Sequence, residues 1–286
     1  MPAAPRQESG RQATGARECV PESAAVRVPD ADPRARFRDL FAAEWSKLSC
    51  RRLFRLPLLL APVFTACAVW STCSRVDVIG ARGRADLDRV SASFNHGIWA
   101  FLMVGAGTIG ALSIAGEYAN GSIRTTFIAV PDRRRVVLAK ATVLAAVTSA
   151  VGVVTAAVSF GTSQAVLSGK HLGVSITERG AARGFAAAAL LLPVSAIVGL
   201  ALGALLRHPA GALCAVFALS VVLPELVPTD GNRVVAEAAE MMPRNAWTTL
   251  VGTDTSGSVP RSWFALLLWP VAVLYAATTV VARRDV

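Results

Sequence analysis

Five stretches of this chain, at 56–74, 97–116, 141–169, 184–206 and 262–282, contain no Asp, Glu, Lys or Arg. A helix needs about 20 such residues to cross the hydrocarbon core of a bilayer. Five of them cannot readily share a water-soluble core, because each would need its own apolar shell. In lipid, each satisfies its backbone internally as a helix. A sixth run, 209–224, is uncharged for 16 residues and reaches span length only if Glu225 sits near the membrane surface. The expectation is an all-α integral membrane protein with six transmembrane helices in residues 56–286, at about 56–74, 97–116, 141–169, 184–206, 209–228 and 262–282.

Composition agrees with a bilayer as solvent. The chain is 53% hydrophobic and 17% charged, where soluble domains run at about 45–50% and about 25%. The net charge of +10 could suggest nucleic acid, but the basic residues gather at the ends of the apolar runs and not on an open face, so no nucleic-acid partner is expected. With an inside N-terminus, the segments 34–55, 124–140, 207 and 283–284 hold 15 Lys and Arg, against 10 in the outside connections. The positive-inside bias then places both termini in the cytoplasm, in a multi-pass protein of the cell membrane.

Residues 1–35 mix Pro, Ala, Arg and Glu without apolar periodicity, and read as a disordered cytoplasmic tail and not a signal peptide. Over 36–55 the pattern changes. Phe37, Leu40, Phe41, Trp45 and Leu48 recur at three- and four-residue steps, while Arg38, Asp39, Glu44 and Lys47 fall mostly elsewhere. This predicts an amphipathic interfacial helix with Trp45 at headgroup level. Such a helix serves either as a surface anchor or as an elbow that also touches a cytoplasmic partner.

Catalytic constellations are not found. The histidines His96, His171 and His208 fall in three different connections, and Cys19, Cys50, Cys67, Cys73 and Cys214 have no CxxC spacing. A nucleophile elbow is missing, since the nearest stretch, Gly161-Thr162-Ser163-Gln164-Ala165, lacks its second glycine. The Gly169-Lys170 pair is followed by His171 with no glycine five residues before it, so it cannot form a phosphate-cradling loop. No cofactor, metal or catalysis is expected, and any active transport must draw its energy from another chain.

The most informative connection follows the second apolar run. It opens with Gly116-Glu117-Tyr118, breaks at Gly121-Ser122, continues through Ile123-Arg124-Thr125-Thr126-Phe127-Ile128, stops at Pro131, and carries Arg133, Arg134 and Arg135 before Lys140. An acid at a span end, a break, a short amphipathic piece and a basic edge describe a short cytoplasmic helix along the membrane surface. A simple topological loop obeying the charge bias has the same composition. Because an unpaired carboxylate at Glu117 would be costly, its counter-charge is expected from a partner chain or from Arg133, Arg134 and Arg135.

This Gly-Glu-Tyr, Gly-Ser-Ile-Arg-Thr-Thr, Val-Pro and Leu-Ala-Lys series, with Glu44-Trp45-Ser46-Lys47-Leu48 ahead of the first run, resembles the ABC-2 type permeases of bacterial ABC transporters. Met242-Pro243-Arg244-Asn245-Ala246 is similar to a Leu-Pro-Ser-Asn-Ala stretch of many members, with Arg244 replacing a small residue; Ser49-Cys50 likewise replaces a frequent basic position. The resemblance spans residues 37–286. It implies a permease subunit of an exporter that dimerises with itself or a second permease and is driven by a separate ATP-binding cassette subunit. It further implies that Glu117, Tyr118, Gly121, Arg124, Thr125 and Thr126 dock on that subunit, edged by Arg133, Arg134 and Arg135, with the helix bearing Phe37, Phe41, Glu44, Trp45, Lys47 and Leu48 beside them. Gly199 and Gly203 form a GxxxG step for close helix packing, either within one subunit or between two. A non-transporting scaffold or signalling anchor would share the lack of intramembrane charge but would not need the pattern from Glu117 to Arg135. An intramembrane enzyme is disfavoured, because no acid, base or nucleophile pair shares a depth.

Overall fold

A computed structural model of the protein describes residues 37–50, 52–75, 89–130, 132–169, 173–178, 180–227, 233–252 and 259–283. The expected tail at 1–35, the Pro131 stop and the charged connections at 76–88 and 253–258 lie outside these residues. Regular structure among the described residues is helical throughout. In chain order the helices are α1 (Phe37–Cys50), α2 (Arg52–Arg75), the short α3 (Arg89–Ala92), α4 (His96–Ala119), α5 (Ser122–Ala129), α6 (Arg133–Ser168) and α7 (Ala181–Leu206). They continue with α8 (Pro209–Phe217), a π-helical segment (Ala218–Val222), α9 (Leu223–Leu226), α10 (Arg233–Glu240), α11 (Pro243–Val251) and α12 (Val259–Arg283).

Helix ends follow local chemistry. The Asn95 side chain accepts from the Ile98 amide and opens α4, and Asp132 does the same for Arg135 at the start of α6. Arg207 takes a left-handed conformation, with φ of 55°, to close α7; His208 then caps α8, and Pro209 sits where a missing amide costs nothing.

Among the described residues five helices are long and apolar enough to cross a membrane: α4, α6, α7, the continuous Pro209–Leu226 stretch and α12. The run at 209–224, shortest in the sequence, reaches this length because α8 continues through the π-helical turn into α9. Glu225 at its end is exposed and pairs with Arg244 at 2.7 Å. The first run forms the 24-residue α2, whose described apolar part is Leu59–Ser71.

At the centre lies α7, packed along α4, α6 and α12. Its crossing with α4 is made by small residues. A Cβ on Gly199 would overlap the Gly107 carbonyl, one on Gly110 would overlap the Ala196 carbonyl, and Gly203 lies on Ala111. The expected GxxxG step is thus used inside one chain, against α4. Across the other side, Pro193 removes the amide that would bond the Ala189 carbonyl, and Gly152 of α6 is the residue whose backbone sits against that carbonyl oxygen.

The end of the bundle remote from α1 is tied by polar side chains. Ser159 donates to the Ser93 carbonyl at 2.5 Å, and the Ser93 and Ser163 hydroxyls share a bond of 2.8 Å. Arg183 of α7 donates to the Leu250 and Gly252 carbonyls, pinning the C-terminal end of α11. In the Met242-to-Ala246 stretch, Pro243 is buried and opens α11, while the Asn245 amide donates to the Ala239 carbonyl at 2.9 Å.

Candidate functional site

The segment after α4 folds as the sequence predicts in outline. Asn120 and a left-handed Gly121, with φ of 69°, break the chain, and the eight-residue α5 follows. The Thr125 and Thr126 hydroxyls both donate to the Ser122 carbonyl, so they serve their own helix. Ile123 is buried and Phe127 half-buried, holding α5 to the bundle, whereas Ile128 is 83% exposed and not part of the anchoring face. Arg124 is exposed. Arg133 lies over the Phe127 ring at 5.3 Å, Arg135 pairs with Asp132 at 2.9 Å, and Arg134 is exposed.

What organises this region is a cluster of four charges from three helices. Glu44 of α1 and Glu117 near the end of α4 are both buried, and so is Lys140 of α6 between them. The Lys140 ammonium donates to Glu44 Oε2 and, at 2.9 Å, to Glu117 Oε1. Lys47, one turn after Glu44 on α1, donates to Glu44 Oε1 at 2.7 Å and to Glu117 Oε1 at 3.5 Å. Burial would raise the Glu44 carboxyl, but Lys140 and then Lys47 outweigh it and hold Glu44 below its ordinary range. Burial likewise opposes the charge on Lys47, and the Glu44 hydrogen bond and Glu117 overcome it, so Lys47 stays charged above its ordinary range. Glu117 Oε2 has no hydrogen-bond partner among the described residues. The adjacent Tyr118 ring carries the Arg207 guanidinium at 5.2 Å.

Two sequence expectations change here. Glu117 pairs with Lys140 and Lys47 of its own chain, where the sequence pointed to a partner or to the Arg133, Arg134 and Arg135 edge. Those arginines occupy the first turn of α6, while Lys140 lies seven residues deeper, roughly 10 Å along the axis, at the level of Glu117. Glu44 and Lys47, which the sequence set only off the apolar spacing of this helix, turn toward the bundle. Trp45 stays exposed and stacks on the half-buried Phe41, with ring centroids 6.2 Å apart. The side chains of Phe37 and Leu48 lie outside the described residues.

Lys140 enters the sequence reading as a topological charge and as the lysine of the Leu-Ala-Lys series, and its pairing with Glu44 and Glu117 was missed; the available signal was that Glu117 and Lys140 bound the two ends of one connection between apolar runs, with Glu44 ahead of the first run. Arg207, which lies on the Tyr118 ring outside the cluster, counted only toward topology.

Beside the cluster is a groove of about 290 Å³, walled by Asp39, Leu40, Ala43, Glu44 and Lys47 of α1, Thr126 of α5, Val130, and Val136 and Ala139 of α6. The wall therefore combines apolar surface with both signs of charge. Among the described residues no group of His, Cys, Asp and Glu is arranged to hold a metal.

Residues 40–223 match the sequence model of the ABC-2 family transporter proteins. The match begins in α1, ends at the start of α9, and takes in every residue of the charge cluster. The chain belongs to the ABC-2 family of membrane transport proteins, and is a multi-pass membrane protein. A comparison with curated proteins finds no match.

Proposed function

We propose that this chain is the permease subunit of an ABC-2 exporter, driven by a separate ATP-binding cassette subunit that docks on α5 and the adjoining groove. On this reading α2 is the first of six spans, both termini face the cytoplasm, and two permease subunits, identical or not, form the path in the cell membrane. The observation that carries the reading is the charge cluster. It ties α1, the foot of α4 and the start of α6 into one unit immediately beside α5, so a push on α5 reaches three helices at once. Arg124 and Ile128 point outward from α5 and offer a cation and an apolar contact, the combination that docking surfaces use as anchors. Glu117, Tyr118 and Gly121 act from within: they fix where α5 begins. The basic edge of Arg133, Arg134 and Arg135 faces the same compartment and suits an acidic rim on the partner.

The test is co-expression with a candidate ATP-binding cassette subunit from the same organism. Arg124→Ala and Ile128→Ser should leave membrane insertion and yield near wild type, yet weaken co-purification or uncouple ATP hydrolysis from export. Wild-type capture, hydrolysis and export in both variants would refute the docking assignment. The isolated chain should hydrolyse no ATP.

A further inference from the structure

Between α2 and α4 the bundle opens a cavity of about 300 Å³. It exists because α2 leans mainly on α6 and touches α4 little. One wall is Leu60 and Phe64 of α2, the other Phe101, Gly105 and Ile109 of α4, and the floor includes Thr148 of α6. The Thr148 hydroxyl is already committed to the Leu144 carbonyl at 2.7 Å, so the lining offers nothing to hold water. Leu60, Phe64 and Phe101 are about half exposed or more, which puts the mouth on the lipid-facing side of the bundle.

We propose that this slot is a binding site for one acyl chain of a bilayer phospholipid. Three features select that occupant. Phe101, Gly105 and Ile109 recur every four residues, so the wall runs along the helix axis for roughly 12 Å, in the direction in which lipid chains lie. The Phe64 and Phe101 rings touch, with centroids 5.6 Å apart, and close one end of the slot. A volume of about 300 Å³ drawn out along that length is far narrower than a helix, which is about 10–12 Å wide with its side chains, so a span of a second copy cannot enter, whereas a single alkyl chain can. Finally, the width of the slot depends on Gly105, where a Cβ would meet no atom within 4 Å. The proposal needs only the membrane placement of the bundle and is independent of the docking reading above.

The full chain is reconstituted in phosphatidylethanolamine and phosphatidylglycerol vesicles with a tracer phospholipid carrying a mid-chain diazirine, and adducts are mapped by peptide mass spectrometry after photolysis. Slot residues of α2 and α4 should be labelled several-fold more than the exposed Phe264 and Val271 of α12. Gly105→Leu should abolish that excess. Gly161→Leu, at a glycine of α6 that also has open space, should keep it. Equal labelling of slot and α12, or an excess that survives Gly105→Leu in folded protein, overturns the proposal. So does a slot shielded from lipid that instead yields chain-to-chain crosslinks through a cysteine at position 105. If Gly105→Leu does not fold, the wild-type ratio alone decides.

Discussion

Gly199 of α7 and Gly107 of α4 meet backbone to backbone, with no room at Gly199 for even a methyl group. Gly110 and Ala196 repeat the contact one turn along, so two helices are held at a distance that only these residues permit. Gly199→Ala and Gly110→Ala should each destabilise the bundle by about 1–3 kcal/mol, the usual cost of overpacking. Gly161→Ala, where space is open, should be neutral or stabilising by up to about 1 kcal/mol through helix propensity. Thermal unfolding in one detergent ranks the three, and a Gly199→Ala protein as stable as Gly161→Ala contradicts the crossing.

Lys140 stands between two buried carboxylates. Removing it leaves Glu44 and Glu117 facing each other with only the half-buried Lys47 as counter-charge, so Lys140→Met should cost about 3–5 kcal/mol, the range for breaking a buried pair. Adding Glu117→Gln to Lys140→Met should recover part of that loss, because the remaining carboxylate keeps Lys47. A double variant no more stable than Lys140→Met would show that the groups are not coupled.

The same cluster sets a pH window for α1. Glu44 is depressed below the ordinary 4.5, so its contribution is complete above that value and is lost as pH falls through its lower folded-state value. Lys47 is raised above the ordinary 10.5, so its contribution is complete below that value and is lost as pH rises through its higher folded-state value. A fluorophore at Ser46→Cys, on the exposed side of α1, should report constant docking between 4.5 and 10.5. Release of α1 inside that interval is incompatible with the ion pairs described.

Orientation is tested from the two ends of α6. Cysteines replace Arg134, in the first turn of this 36-residue helix, and Thr177, in the connection that follows its other end, both exposed positions. With cytoplasmic termini, an impermeant thiol reagent applied to intact cells should modify position 177 and spare 134. The reverse pattern inverts the topology.

The bundle was legible because its helices are written in long runs without charge, a pattern that needs no tertiary information. The position of α5 was legible too, from Gly121 and the apolar residues that follow. The wiring between helices was not. A glutamate in the middle of a short amphipathic helix, as at Glu44, has the same local signature whether it faces water or a lysine 96 residues away. Ile128 shows the converse: its spacing fits an anchoring face, yet Ile123 and Phe127 suffice and Ile128 is left outside. The π-helical turn at Ala218–Val222 has one mark in the sequence, Pro224, which cannot bond the Ser220 carbonyl, but a proline alone does not say whether a helix stops or continues through a wider turn.

The order in which the cluster's charges leave the ribosome gives it a second meaning. Glu44 and Lys47 emerge first, Glu117 next, and Lys140 last, so between Glu117 and Lys140 two carboxylates destined for burial share the half-buried Lys47 alone. The cluster therefore cannot close before the start of α6 is made. A chain truncated ahead of Lys140 would leave Glu44 and Glu117 with the half-buried Lys47 as their one counter-charge within the cluster, a defect open to proteolytic surveillance even with every earlier helix correctly placed. The ion cluster thus ties the seating of α1 and the foot of α4 to the completion of a later helix.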